Sequence, residues 1–512
     1  MFWRLGFAHT SPVEQLLETD EFTLQQLLEE DDIIQECKQL NKKLIDFLAM
    51  PEQVEALIHF VTTEPDPADD KKTQFMHPYK SSEVLSADLS AVYDCLFANE
   101  KLLDKLFSFL ESEGPLNTLH AGYFSKIVST LLTRRPEETL KVMEVKKVIP
   151  LLLRHLGAYS ILDLLLKVVS EAEENISGAL LDWLYELDLV RQLIDKLEPG
   201  LDSDVHQNAS AALVGFLSQQ QQVPWPSSLA STQSDFTKVL LSAHSVKALL
   251  DKLLGGSGST LEHGLTVLVE MVRHCTTASR WTGNTDMMPV ISEILDRLGD
   301  LVHVLRVPPP MPVIVNTTGT LDPPLGSNRL KILEVMHLLI GLKNSEVDKV
   351  MIELGVLPTC LDLFFKYEWH NFLHNLVKKV VEIVVKGENE ELQRTLFSGE
   401  AKLLERIMDA HHRNEEECKQ AKATRKGYMG QLREMANMVV SESVAEREEE
   451  GAASNPGAAM MRAALDTEEW RAFVALFLKP LNEMHDKLIG RPQPGGVYSD
   501  DEEDMSPGPA GG

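Results

Sequence analysis

The 512-residue chain is poor in cysteine: Cys37, Cys95, Cys275, Cys360 and Cys418 are odd in number and far apart, and no CxxC pair occurs. That spacing excludes the common zinc and redox motifs and a disulfide framework, and it fits a reducing compartment. Basic residues are also short. The 49 Lys and Arg face 78 Asp and Glu, and the formal charge of −29 repels phosphate backbones and anionic headgroups, so nucleic acid is not an expected partner. No apolar run approaches the roughly 20 residues a bilayer span needs, and the opening MFWRLGFAHTSPVEQ lacks the apolar core of a signal peptide. No membrane insertion is expected, and the chain reads as cytoplasmic, with the nucleus as a second compartment. Catalytic signatures are missing too. There is no GxGxxG, no GxxxxGK[ST] and no G-x-S-x-G, and GGSGST from Gly255 lacks both the lysine and the preceding strand of a phosphate loop. No cofactor is expected, and an enzyme is not the reading these residues favour.

What is present is a repeat. Two apolar residues, two free, two apolar, two free and one apolar recur as VIPLLLRHL from Val148, LVRQLIDKL from Leu189, SVKALLDKL from Ser245, VISEILDRL from Val290 and VLPTCLDLF from Val356. Looser copies begin at Gln53, Leu102 and Leu403. Most intervals lie at or slightly above the roughly 40 to 47 residues of HEAT and armadillo units. The longer ones contain insertions near 219–236 and 306–327, rich in glutamine or proline. After most copies comes a second amphipathic segment, such as SILDLLLKVV or RLKILEVMHLLI, with apolar residues at three- and four-residue steps. The only short β candidate is PVIVNTT. Helix pairs that cannot bury their apolar faces alone must be completed by their neighbours. The expected fold is therefore an all-α, HEAT/armadillo-like solenoid of eight or more helical repeats over residues 1–480, followed by a disordered acidic tail at 490–512. Disordered loops are also expected at Asp66 to Lys72, Gln219 to Ser234 and Val307 to Thr320.

The stretch YEWHNFLHNLVKKVVEIVV, from Tyr367, places His370 and His374 four apart, the spacing at which a helix aims two imidazoles at one metal ion. A helix-borne zinc hydrolase also needs a glutamate after the first histidine, and that position holds Asn371. A related element, NTLH from Asn117, stands at a similar place in an earlier repeat. N-x-L-H therefore reads as repeat grammar with a solvent-facing ring, and no metal site is expected.

The start TLQQLLEEDDIIQECKQLNKKLIDFL, from Thr23, resembles that of the SAPS-domain family, regulatory subunits of protein phosphatase 6. Similar stretches follow in the family's order: PLNTLHAGYFSKI, LDPPLGSNRL, LDLFFKYEWHNFLH and KGYMGQL. His370 stands where the family commonly shows asparagine. The resemblance implies a non-catalytic scaffold that binds the phosphatase 6 catalytic subunit and directs its substrate choice or location, with ankyrin-repeat proteins as further partners. The alternative is a helical-repeat adaptor in transport or trafficking. Residues costly to expose yet off the core spacing are the candidate partner contacts: Tyr367 and Trp369 in a turn, Arg329 beside a proline loop, and Tyr428 and Met429 between glycines. Ser499 before DDEED and Ser506 before proline are candidate phosphorylation sites.

Overall fold

The computed structural model describes residues 11–19, 21–175, 179–218, 235–282, 289–317, 319–420, 424–448 and 463–488. The expected loop at Gln219 to Ser234, the tail at 490–512 and both candidate serines lie outside them.

Each nine-residue pattern forms a helix, and each is followed by a second helix. In chain order these are α1 (Pro51–Thr62), α2 (His77–Leu85), α3 (Glu100–Phe107), α4 (Thr118–Arg134), α5 (Val148–Arg154), α6 (Tyr159–Asn175), α7 (Leu189–Asp195) and α8 (Ser203–Ser218). They continue as α9 (Ala243–Gly255), α10 (Ser259–Thr282), α11 (Pro289–Asp296), α12 (Gly326–Ile340), α13 (Val356–Lys366), α14 (Asn371–Val385), α15 (Leu403–Cys418) and α16 (Met429–Glu448). Odd numbers carry the pattern. Its paired apolar positions share one helix face and are buried, as Val148, Ile149, Leu152 and Leu153 are in α5 and Leu189, Val190, Leu193 and Ile194 in α7.

The repeat has one helix more than the sequence pattern suggests. Among the described residues a short helix precedes each odd-numbered one except α11, for example Pro136–Val145, Ala179–Glu186, Ser345–Glu353 and Glu390–Phe397. The unit is thus a triad, the armadillo arrangement, rather than a pair. The residue just before the odd helix is left-handed at Lys147 (φ 51°), Asp188 (φ 47°), Gly355 (φ 61°) and Lys402 (φ 43°). One such residue turns the chain out of one right-handed helix and into the next. Gly355 adopts it freely, whereas each non-glycine costs on the order of 1 kcal/mol.

These triads build an all-α helical-repeat solenoid in two compact units: Met1–Met311 with Leu325–Leu338, and Pro312–Pro324 with Leu339–Gly512. In the first, the long helices α2, α4, α6, α8 and α10 each pack on the next. In the second, α13 packs on α14 and α14 on α16. No helix among the described residues is long and apolar enough to cross a membrane.

Buried polar side chains close the helix ends. His120 donates through Nδ1 to Val61 O (2.6 Å), His155 through Nε2 to Leu110 O (2.9 Å), and Asn208 through Nδ2 to Leu156 O (2.7 Å). Each satisfies a carbonyl near a helix end, where backbone acceptors lack an intrahelical partner. Between repeats, a base of one reaches an acid in the odd-numbered helix before it. Lys105 pairs with Glu55, Lys146 with Asp104, Lys252 with Asp195, Arg297 with Asp251 and Arg406 with Asp362.

Two of the loops expected to be disordered are structured. At Asp66 to Lys72, Ala68 N–H donates to Asp66 Oδ1 and Thr73 N–H to Asp70 Oδ1, both at 2.8 Å, and Lys72 pairs with Glu29 at 2.6 Å. The Pro/Asp composition that suggested disorder is turn-forming chemistry. In Val307 to Thr320 the chain forms strand β1 (Ile314–Asn316), antiparallel to β2 (Gly319–Leu321), with Ile314 opposite Leu321.

Candidate partner-binding surface

The turn between α13 and α14 draws together three stretches far apart in sequence, all in the second unit. Tyr367, which caps α13, is 3% exposed and donates through its hydroxyl to Pro323 O (2.7 Å), tying the β1–β2 hairpin to the turn. Tyr428 is 6% exposed, with its ring 5.5 Å from both Phe364 and Phe365. Lys426 Nζ bridges Glu368 Oε2 (2.8 Å) and Glu417 Oε2 (3.0 Å). Burial works against its charge, but these two hydrogen bonds prevail and raise its pKa. At Gly427 a Cβ would stand 2.8 Å from Glu368 O and 3.0 Å from Trp369 Cε3, so only glycine lets this strand of chain lie against the turn.

The two histidines hold the corner. His370 is the N-cap of α14 and accepts through Nδ1 from Leu373 N–H (3.2 Å). His374 is not solvent-facing, as the sequence suggested. It is fully buried, donates through Nε2 to Tyr367 O (2.9 Å), and stacks beside Phe364 and Tyr428. Burial pushes its pKa down to about 4, so the ring is neutral at physiological pH. Both nitrogens that fix this corner serve backbone groups. Among the described residues no three His, Cys, Asp or Glu gather as a metal-ligand set. Cys360 beneath the turn is pushed up to about 12 by burial, which leaves an unreactive thiol.

The candidate contacts thus separate. Arg329 lies within α12, 2% exposed, and donates to Leu325 O (2.9 Å) and Leu305 O (3.4 Å), where it closes backbone ends in the first unit. Tyr367 and Tyr428 fill the interior of the turn. Met429 is half-buried at the start of α16. Only Trp369 presents a substantial apolar surface, at 44% exposure. Sequence reasoning missed its neighbour Phe372, 69% exposed, and the hairpin residues Val313, Ile314 and Val315, 50%, 47% and 76% exposed. A signal for Phe372 existed: it occupies the second position of N-x-L-H, where the earlier copy carries Thr118, also exposed. The arrangement is a rigid turn, buttressed by stacked rings and an ion pair, that holds apolar groups in water. Chemically that suits docking a protein surface.

The SAPS family model, SIT4 phosphatase-associated protein, matches residues 128–487. The chain belongs to the SAPS family. Among its SAPS relatives, serine/threonine-protein phosphatase 6 regulatory subunit 3-B of Xenopus laevis is 31% identical over 478 residues, covering 86% of this chain and 55% of that protein. Regulatory subunit 1 of Homo sapiens is 29% identical over 537 residues, covering 95% and 59%. Human regulatory subunit 2 is 32% identical over 425 residues, covering 78% and 43%. The chain spans about half the length of these relatives. The triad solenoid and the α13–α14 turn both fall largely or wholly inside the matched SAPS region.

Proposed function

We propose that this chain is a non-catalytic regulatory subunit that binds the phosphatase 6 catalytic subunit and directs its substrate choice or location. The observation that carries the reading is the family match, together with relatives named as regulatory subunits of that phosphatase. The hydrolytic metal chemistry belongs to the catalytic partner. Trp369 and Phe372, on a turn already ordered by Tyr367, His374 and Tyr428, are the anchors of the contact, because little side-chain or loop entropy remains to be lost on docking. Ankyrin-repeat proteins join as further partners, and the assembly works in the cytoplasm and the nucleus. Phosphate on Ser499 or Ser506 would add charge to an already acidic segment and change partner choice rather than folding. A chain ending at Gly490 that matched the full chain against every partner would remove that last element.

The test is capture of the purified phosphatase 6 catalytic subunit by the chain and by its Trp369→Ala/Phe372→Ala variant. The variant should fold and melt as the parent does and lose capture at least tenfold. No capture by the parent itself would overturn the phosphatase reading. Full capture by the folded variant would move the interface elsewhere.

A further inference from the structure

At the far end of α14 from the Trp369 turn, roughly 18 Å along the helix from Phe372, the second unit holds a cavity of about 270 Å³. It opens where α14 ends and the short helices Ser345–Glu353 and Glu390–Phe397 begin. Ile340, Ile383, Val384 and Leu392 form apolar walls, and two acids, Asp348 and Glu388, share the lining with one base, the exposed Lys343. No ion pair among the described residues involves any of the three.

Asp348 is the group that the fold leaves unsatisfied. It is 5% exposed, and its Oδ2 accepts from Asn389 Nδ2 (2.7 Å), whereas its buried Oδ1 has no hydrogen-bond partner among the described residues. Taking a carboxylate out of water costs stability unless a cation or a set of donors meets it, and burial raises the pKa of this one. The bond from Asn389 needs only a neutral acceptor, so the charge and the second oxygen answer to something outside the chain. An anion does not suit the place. The first N–H groups of both short helices are already taken, those of Glu346 and Val347 by Asn344 Oδ1 and those of Glu391 and Leu392 by Asn389 Oδ1. A bare metal ion does not suit it either, because no three His, Cys, Asp or Glu gather among the described residues and hydrocarbon walls offer no oxygen ligands. What matches both the acids and the hydrocarbon is a cation on an aliphatic stem.

We propose that this cavity receives an arginine side chain from a basic segment of a partner protein. The stem lies on the apolar walls, and the guanidinium donates to Asp348 and, at the exposed rim, to Glu388. A guanidinium keeps its charge when buried, where an ammonium tends to lose it. The chain's net charge of −29 draws basic segments towards it. The site shares no residue with the Trp369 turn and does not rest on the phosphatase reading.

Fluorescence anisotropy tests this with labelled, capped peptides that differ at one residue: arginine, its neutral isostere citrulline, or lysine at the centre of an otherwise uncharged sequence. The arginine peptide should bind at least tenfold more tightly than the citrulline peptide, more tightly than the lysine peptide, and less tightly as salt rises. Asp348→Asn keeps an acceptor for Asn389 and removes the charge. It should melt at or above the temperature of the parent and yet bind the arginine peptide at least tenfold more weakly, a combination no folding defect produces. Glu388→Gln, at an exposed position, should weaken binding by only about threefold. No binding of the arginine peptide, equal binding of either counterpart, or undiminished binding by Asp348→Asn would each overturn the proposal. So would a loss of binding by Asp348→Asn together with a fall in its melting temperature, since the carboxylate would then be serving the fold. A larger rise in the parent's melting temperature from calcium chloride than from the arginine peptide would overturn it in favour of a metal ion.

Discussion

The two N-x-L-H corners share a buried histidine and differ around it, down to the leucine, which is 41% exposed at Leu119 and buried at Leu373. At the first, His120 donates to Val61 O; at the second, His374 donates to Tyr367 O, and both imidazoles are buried. The outward position holds Thr118 in one and Phe372 in the other, and only the second corner adds a half-exposed tryptophan. A buried histidine that satisfies a backbone carbonyl is therefore common to both corners, and the residues around it set them apart. The metal-like spacing of His370 and His374 arises from two capping tasks that happen to fall one helical turn apart.

The harshest way to break this comparison is to remove the shared device. His374→Ala should cost about 3 kcal/mol, from the lost ring packing and the unpartnered Tyr367 carbonyl. His120→Ala should cost about as much, both read by chemical denaturation. A large loss at one corner and none at the other would show that the two are not equivalent. Next in size, Phe372→Thr, which transplants the first corner's residue, should weaken phosphatase capture by about 2 kcal/mol while stability stays within about 0.5 kcal/mol. Calorimetric titration alongside thermal melting checks both halves.

Acid sharpens the comparison further. Burial lowers the His374 pKa from 6.5 to about 4, so the folded state prefers the neutral ring. Its contribution is complete above the unfolded value and is lost as pH falls from 6.5 towards 4, at roughly 1.4 kcal/mol per pH unit. His155, His274 and His411 are shifted downward too, chiefly by burial, and act in the same direction. A His374→Phe variant should show a shallower fall in stability across that window. Smallest of all, Asp251→Ala removes one exposed partner of Arg297 and should cost about 0.5 kcal/mol, less at high salt.

The sequence showed the odd-numbered helices well because their apolar pairs are strong and evenly repeated; α5, α7, α13 and α15 begin at the residue the pattern names. It hid the first helix of each triad. EELQRTLF and SEVDKVMIE are short and mostly polar, and their helicity depends on caps such as Asn389 and Asn344 together with tertiary packing. The hairpin was half visible as PVIVNTT, but three-residue strands fall below what alternation can establish. The sequence singled out residues of this turn without showing which of them face inward. An aromatic off the core spacing can fill the inside of a turn or stand outside it, and Tyr367 and Tyr428 took the first place while Trp369 took the second. Only packing decides between them, and packing depends on residues as distant in sequence as Pro323 and Phe364.

The charge ladder between repeats has a consequence for how such a chain changes over generations. Two repeats hand an acid forward and reach back with a base: in α9 Asp251 goes to Arg297 and Lys252 to Asp195, and in α3 Asp104 goes to Lys146 and Lys105 to Glu55. A copy of either repeat therefore arrives already matched to a neighbour of its own kind, with its own acid ready for the next and its own base ready for the last. Duplication can lengthen the array without any accompanying substitution, and the molecule's reach is free to evolve separately from its grip.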